Sequence, residues 1–187
     1  MCQFSISVWR FAVNIGRLHG GHLPQTPNRT GAVVSQEPSS NGAYQGLRVL
    51  DFSMFLAGPY CTRLMADMGA EVIKIEPPGG DFLRASPPLR QGHSAYFGAM
   101  NCGKKSLCVD LKNPTAIDLV RRLFVTADVV IENFRPGVMA RFGLDYETAA
   151  AIKEDIIYCS VSGYGQVGPR ASRASFAPII HAASGFD

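Results

Sequence analysis

Residues 46–75, GLRVLDFSMFLAGPYCTRLMADMGAEVIKI, decide the fold because they place a strand, a helix and a second strand in direct succession. Leu47–Phe52 is a short apolar run of the kind that forms strands, and Glu71–Glu76 is another. Between them, Gly58–Met68 has the composition of a helix, with Pro59 in the first turn, where its missing N–H costs nothing. This succession predicts two parallel strands that are joined by a crossover helix.

The alternation of strand and helix continues along the rest of the chain. Further strands are predicted at Ser106–Leu111, Asp128–Glu132 and Asp155–Ser160, and further helices at Asn113–Ala127, Pro136–Phe142 and Tyr146–Lys153. The pattern is typical of the α/β class and predicts a Rossmann-like, doubly wound parallel sheet. In such sheets the carboxyl ends of the strands lie along one edge, where ligands usually bind.

Two stretches fit this alternation less well. The interval Gly79–Gly103 carries little regular signal, and we expect a long ordered excursion there. Residues Ala177–Ala183, APIIHAA, are apolar enough to be interpreted as a buried helix. His181 within it is then expected to be a packed or hydrogen-bonded core histidine rather than a catalytic one.

Residues 1–44 differ in composition from everything that follows. They are rich in Gly, Pro and Ser between Gly20 and Gly42, and no acidic residue precedes Glu37. Such a stretch cannot bury enough apolar surface to offset the entropy of ordering it. We therefore predict a disordered or targeting-like N-terminal extension at 1–44 and a folded domain at 45–187.

Composition excludes several classes of protein. The net charge is only +3, which does not require a nucleic acid partner, and no apolar run is long enough to suggest a membrane partner. The 5 cysteines never form a CxxC pair, which argues against a disulfide framework and against a zinc site. We expect a cytoplasmic protein with reduced thiols, or a mitochondrial one if the N-terminal extension is a transit peptide.

Basic residues follow two of the predicted strands at the edge where a ligand is expected. Lys112 comes after the third strand, and Arg135 and Arg141 come after the fourth. A ligand with several phosphates and a flat base suits them, because cations neutralise phosphate and Phe134 or an arginine plane offers a stacking surface. The alternative, that these are exposed charges which only solvate the surface, stays open at this point.

A nicotinamide-binding site is a weaker alternative. The loop after the first strand has Gly58 followed by Pro59 instead of the GxGxxG pattern that cradles a dinucleotide. Glu76 stands where such proteins have an acidic ribose ligand, but alone it is interpreted as a solvated charge at a strand end. No serine lies in a G-x-S-x-G nucleophile elbow.

The stretch 46–75 resembles the opening of the family III CoA-transferases of CaiB/BaiF type, which include formate, crotonobetainyl-carnitine and succinate-dicarboxylate CoA-transferases. Further matching motifs are NCGKKSLCVDLKNP (101–114), ADVVIENFRPGVMARFGL (127–144) and IIYCSVSGYGQVGPRASR (156–173). The resemblance covers residues 46–187 and identifies 45–187 as the N-terminal portion of a CoA-binding large domain.

This resemblance implies a Rossmann-like domain within a larger, interlocked homodimer. It implies coenzyme A or acyl-CoA as substrate, a carboxylic acid as acceptor, and no metal. The CoA-contacting positions that it implies are Leu56, Ala57, Val109, Asp110, Leu111, Lys112, Asn133, Phe134, Arg135 and Arg141. The family often has a basic residue directly after the glutamate of the second strand, and Pro77 occupies that position here.

The chemistry that the resemblance implies begins with an aspartate carboxylate that attacks the acyl-CoA. A mixed anhydride and then an enzyme-bound CoA thioester follow, and the acceptor acid takes over the CoA. The aspartate is expected beyond Asp187, so no catalytic residue is assigned and the 187-residue chain alone is expected to be inactive. A non-catalytic CoA- or nucleotide-binding remnant is the alternative. A racemase relative is less favoured, because Ser175-Phe176-Ala177 replaces the Gly-His-Asp of racemases.

Overall fold

The computed structural model describes the backbone of residues 6–8 and the whole of residues 42–186. The predicted extension at 1–44 otherwise lies outside the described residues. The strands in chain order are β1 (Ile6–Val8), β2 (Arg48–Asp51), β3 (Glu71–Glu76), β4 (Leu89–Arg90), β5 (His93–Ser94), β6 (Lys105–Cys108), β7 (Val129–Glu132) and β8 (Ile157–Ser160). The helices are α1 (Ala57–Asp67), α2 (Ala95–Asn101), α3 (Pro114–Phe124), α4 (Val138–Phe142), α5 (Tyr146–Ile152) and α6 (Ala177–Ser184).

The main sheet has the strand order β1-β6-β3-β2-β7-β8. All pairs from β6 to β8 are parallel, and only the edge strand β1 runs antiparallel to its neighbour. The chain starts the parallel part at β2, builds outwards through β3 and β6 on one side, and then returns to β7 and β8 on the other. This arrangement confirms the predicted Rossmann-like sheet and places its topological switch point between β2 and β7.

Both faces of the sheet are covered, as expected for parallel strands, which are buried on both sides. On one face, Leu50 and Val130 pack with Val120 and Phe124 of α3. On the other face, Val49, Val72 and Val129 form a second cluster against α1. Because side chains alternate along a strand, successive residues of β2, β3 and β7 serve these two cores in turn.

The interval 79–103 is more regular than its sequence indicates. It contains a 3-10 helix at Phe82–Ala85, the hairpin of β4 and β5, and helix α2. Ser94 caps α2 by accepting a hydrogen bond from the backbone N–H of Phe97 at 3.1 Å. These elements have two to seven residues each, too few to show a periodic pattern.

Helix α6 forms where the sequence predicts it, but the expectation that it is buried is wrong. None of its residues is buried, and the side chain of Ile179 is 49% exposed. His181 is only half-buried and so is not a core histidine. Apolar composition predicted the helix correctly, but composition does not determine what covers it.

Candidate functional site

The loops that follow β2 and β7 are joined at the switch point of the sheet. The side-chain oxygen Oδ1 of Asn133 accepts a hydrogen bond from the backbone N–H of Met54 at 2.8 Å. Its Nδ2 donates to the carbonyl oxygen of Met54 at 2.7 Å. Asn133 therefore fixes the β2–α1 loop at the place where doubly wound sheets bind their ligands.

Buried polar groups hold the same loop from below. Asp51 Oδ1 accepts from the backbone N–H of Ser53 at 2.9 Å and also from the Ser53 hydroxyl, while Asp51 Oδ2 accepts from Thr62 Oγ1 at 2.7 Å. Lys74 Nζ donates to the carbonyl oxygen of Ser53 at 2.7 Å. The backbone from Ser53 to Met54 is thus bonded on several sides, which leaves it little freedom to change shape.

Lys104 completes this buried cluster. Its ammonium donates to Asp51 Oδ2 at 2.9 Å, to the carbonyl oxygen of Pro59 at 2.8 Å and to Asn101 Oδ1 at 2.8 Å. Burial lowers the pKa of Lys104 to about 8, although the Asp51 carboxylate opposes that shift. Burial alone would raise the pKa of Asp51, but the charges of Lys104 and Lys74 and the hydrogen bonds from Ser53 and Thr62 together more than offset it, and the pKa of Asp51 is lowered.

Lys74 pairs with a second carboxylate in the same cluster. Its Nζ lies 3.0 Å from Asp81 Oδ2, and both side chains are almost fully buried. Asp81 Oδ1 accepts from the backbone N–H of Leu83 at 2.9 Å and so begins the 3-10 helix. This cluster was not predicted from the sequence, although a lysine between two isoleucines in the run EVIKIE signals a charge that needs a buried partner.

Glu76 is buried, with a 3% exposed fraction, so its interpretation as a solvated charge is wrong. Its carboxylate accepts from Arg84 at 2.7 and 2.6 Å, from Ser106 Oγ at 2.8 Å and from the Asp81 N–H at 3.0 Å. Burial would raise the pKa of Glu76, but these donors and the guanidinium charge lower it. Because both of its oxygens are engaged, Glu76 does not serve as a ribose ligand in this structure, and the nicotinamide interpretation loses its acidic group.

The predicted CoA-contacting residues all follow the carboxyl ends of β2, β6 and β7, but their exposure differs. Six are exposed: Leu56, Ala57, Asp110, Lys112, Arg135 and Arg141. Leu111, Asn133 and Phe134 are half-buried, and Val109 is buried with a 3% exposed fraction. Leu111 and Phe134 also pack against the core, so part of the predicted stacking surface of Phe134 is already covered.

The three predicted phosphate-binding cations lie on separate segments. Lys112 is in the β6–α3 loop, where its backbone N–H donates to Asp110 Oδ1 at 3.0 Å. Arg135 is in the β7–α4 loop, and Arg141 is in the last turn of α4. The side chains of all three are exposed, and of the three only Arg135 lines a cavity described below.

Two open cavities lie on either side of the switch point. One, of about 240 Å³, lies at the ends of β3 and β6 and is lined by Glu76, Pro77, Pro78, Gly79, Gly80, Arg84, Ser106 and Cys108. The other, of about 270 Å³, lies beyond β7 and β8 and includes Glu132, Arg135, Tyr158 and Gln166. Burial raises the pKa of Glu132, although hydrogen bonds from Ser160 and from the Phe134 N–H oppose the shift.

Among the residues that the structure describes, no group of three or more His, Cys, Asp or Glu side chains is placed to hold a metal ion. No helix in the same part of the chain has the length and apolar character to cross a bilayer.

Comparisons with known proteins agree with this architecture. A model of CoA-transferase family III matches residues 44–187. A succinate–glutarate CoA-transferase from Agrobacterium fabrum is 45% identical over 161 residues, which cover 82% of this chain and 40% of that protein. The human succinyl-CoA:glutarate CoA-transferase is 42% identical over 143 residues, 75% of this chain and 33% of that protein.

A solved structure is similar over the same region. A CaiB/BaiF family protein from Brucella suis has 43% identity and a TM-score of 0.74, covering 78% of this chain and 40% of that one. The chain therefore spans well under half the length of the relatives that it matches.

Proposed function

The chain belongs to CoA-transferase family III, and we propose on this basis that it carries the CoA-binding part of an enzyme that transfers CoA from an acyl-CoA thioester to a free carboxylic acid. One observation carries the proposal most directly. Asn133 bonds both backbone polar groups of Met54 across the switch point, so that the β2–α1 loop is fixed beside the β7–α4 loop. A preformed edge of this kind binds a ligand without the free-energy cost of first ordering its loops.

The exposed residues that follow β2, β6 and β7 supply groups that suit the parts of coenzyme A. Lys112, Arg135 and Arg141 supply the positive charge that its phosphates require, and an arginine fork binds phosphate in two-point contacts. Leu56 and Ala57 lie at the start of α1, which has no side-chain cap. Uncapped N–H groups in the first turn of a helix attract anionic groups. Val109 contributes through its backbone, because its side chain is buried.

The chemical step in this proposal is an exchange between carboxylates. A carboxylate of the enzyme attacks the thioester carbonyl, the CoA thiolate leaves, and a mixed anhydride forms. The thiolate then attacks the enzyme acyl carbon, which releases the donor acid and forms an enzyme CoA thioester. The acceptor carboxylate repeats the two steps in reverse. We assign no residue of the described chain to the attacking carboxylate, which we propose is an aspartate beyond residue 187.

We also propose that the protein functions as a homodimer in the cytoplasm. Helix α6 supports the first part, because it is apolar and none of its residues is buried in the single chain. An apolar helix left exposed in this way is typical of a surface that another part of an assembly covers.

Titration calorimetry with coenzyme A tests the binding function. We expect Arg141→Ala to weaken binding roughly 10- to 150-fold, because it removes a charge-assisted contact of about 1.5–3 kcal/mol. Arg122→Ala is the matched control, since Arg122 is exposed in the last turn of α3, at the opposite edge of the sheet. Equal CoA affinity in the wild type and Arg141→Ala would indicate that the three cations only solvate the surface. If the wild type does not bind CoA, the proposed function is wrong.

A further inference from the structure

Three aromatic side chains from distant segments meet at the carboxyl edge of the sheet. Phe55 follows β2, Phe82 begins the 3-10 helix after β3, and Phe176 precedes α6. The ring centroids of Phe55 and Phe82 are 5.8 Å apart, and those of Phe55 and Phe176 are 6.3 Å apart in an edge-on arrangement. The three residues are 42%, 65% and 66% exposed, respectively, so the cluster presents apolar surface to solvent.

The backbone at Phe55 indicates that this exposure is built into the fold. Its φ is +64°, in the left-handed region that non-glycine residues rarely adopt and that costs about 1–3 kcal/mol. The neighbouring residues hold it there, because Lys74 bonds the carbonyl of Ser53 and Asn133 bonds both polar groups of Met54. Strain that the surrounding structure maintains in this way is concentrated at binding sites.

The charges around the aromatic cluster select the kind of ligand. The stretches 77–109 and 161–186, which contain or precede two of the rings, have a single acidic residue, Asp81, and it is buried beside Lys74. Of the basic residues in the same stretches, Arg84, Lys104 and Lys105 are paired with Glu76, Asp51 and Glu71, whereas Arg90, Arg170 and Arg173 are exposed. The two stretches thus carry exposed positive charge and no exposed carboxylate, which suits a molecule that has both an apolar part and several negative charges.

From this juxtaposition we propose that Phe55, Phe82 and Phe176 form an apolar wall that binds the acyl group of the CoA thioester, and that the preferred acyl group is an apolar chain. The inference rests on the proposed function, since Leu56 and Ala57, next to Phe55, are among the expected CoA contacts. It differs from a simple transfer of substrate from the relatives, two of which are named for succinate and glutarate. The three aromatic faces themselves offer a distal carboxylate no hydrogen-bond donor, whereas methylene groups bury apolar area there.

Binding of unreactive thioether analogues separates this inference from the proposed function. The probes are CoA itself, S-ethyl-CoA, S-hexyl-CoA and S-(3-carboxypropyl)-CoA, titrated into the protein as expressed from its natural gene. We expect S-hexyl-CoA to bind at least tenfold more tightly than S-ethyl-CoA, because each buried methylene contributes roughly fourfold. The carboxypropyl analogue should gain less than the hexyl analogue.

Substitutions of the exposed rings test whether they contact the acyl group. Phe82→Ala should weaken S-hexyl-CoA binding at least fivefold and change CoA binding less than twofold, while Phe82→Leu, which keeps an apolar side chain, should restore most of the loss. Phe55→Gly, which removes a ring and also relieves the strain, should show the same selectivity. Val125→Ala is the control, because Val125 is 62% exposed at the far end of α3.

Any of three results would contradict acyl-group binding by this wall. The first is that the affinity for the S-alkyl-CoA analogues does not depend on alkyl chain length, and the second is tighter binding of the carboxypropyl analogue than of the hexyl analogue. The third is that Phe82→Ala changes self-association in sedimentation experiments but leaves S-hexyl-CoA binding unchanged. In each of these cases CoA still binds, and the proposed function survives. If CoA itself does not bind, the proposed function is wrong, and so is the proposed acyl-binding role of the three rings.

Discussion

Lys104 and Lys105 are neighbours in the sequence and opposite in environment. The side chain of Lys104 is 2% exposed and is paired with Asp51, whereas that of Lys105 is 46% exposed and is paired with Glu71. From the sequence alone both are basic residues that precede a strand. Their difference arises only when the β2 carboxylate and the first turn of α1 come together in three dimensions.

The two lysines make a matched pair for a stability experiment. Lys104→Met leaves the Asp51 carboxylate buried without its nearest cation, which we expect to lower the free energy of unfolding by about 3–5 kcal/mol. Lys105→Met removes an exposed pair and should cost less than about 1 kcal/mol. Urea unfolding of the two variants and the wild type measures both values, and similar losses in the two variants would contradict the buried cluster.

At the scale of elements, the site depends on how two loops are tied together. Asn133 was predicted as a ligand contact, but its Oδ1 and Nδ2 both bond the backbone of Met54. Its main contribution is then to position the β2–α1 loop, and any contact with ligand comes in addition. The position of Asn133 after a strand could be predicted because strand ends follow from local pattern, whereas its partner 79 positions away could not.

Substitutions at Asn133 test this positioning role. Asn133→Ala loses both bonds, so we expect a loss of about 1–3 kcal/mol of stability together with weaker CoA binding. Asn133→Asp keeps an acceptor for the Met54 N–H but loses the donor to the Met54 carbonyl, and it should fall between alanine and wild type in both properties. Thermal unfolding and calorimetry measure the two effects. An alanine variant with wild-type melting and wild-type CoA affinity would show that the loop is held by other contacts.

Elements with strong local sequence signals were predicted, and those that depend on tertiary contacts were not. Strand β3 was predicted with its observed bounds, and α1 within one residue, because long apolar runs and a proline near a helix start are local signals. Helix α2 was missed, since its seven residues depend on the Ser94 cap and on packing against α1. The predicted third strand extends to Leu111, but β6 ends at Cys108, because the chain turns there to begin α3.

In the whole molecule, burial is concentrated around the central strands. Every residue of β7 is buried, and so are most residues of β2 and β3. Helix α6, by contrast, has no buried residue. Local stability should follow this gradient, because elements with few buried apolar contacts open with the least free energy.

Hydrogen exchange measured by mass spectrometry tests this gradient. Backbone amides of β2, β3 and β7 should exchange most slowly, and those of α6 should exchange fastest among the helices. The expectation applies to dilute protein, so the measurement needs a concentration series. Protection of α6 equal to that of β2 at every concentration would show that α6 is covered within the single chain.

The buried ammonium of Lys74 also restricts how the sheet can assemble. Along β3, Val72 and Lys74 face the α1 side, while Ile73 and Ile75 face the other core. If β3 paired with β2 one position out of step, Lys74 would point at the apolar cluster around Val120 and Phe124, far from Asp81. Such a misaligned sheet would hold an isolated charge among hydrocarbons, so this one side chain discriminates against a whole set of wrong strand pairings during folding.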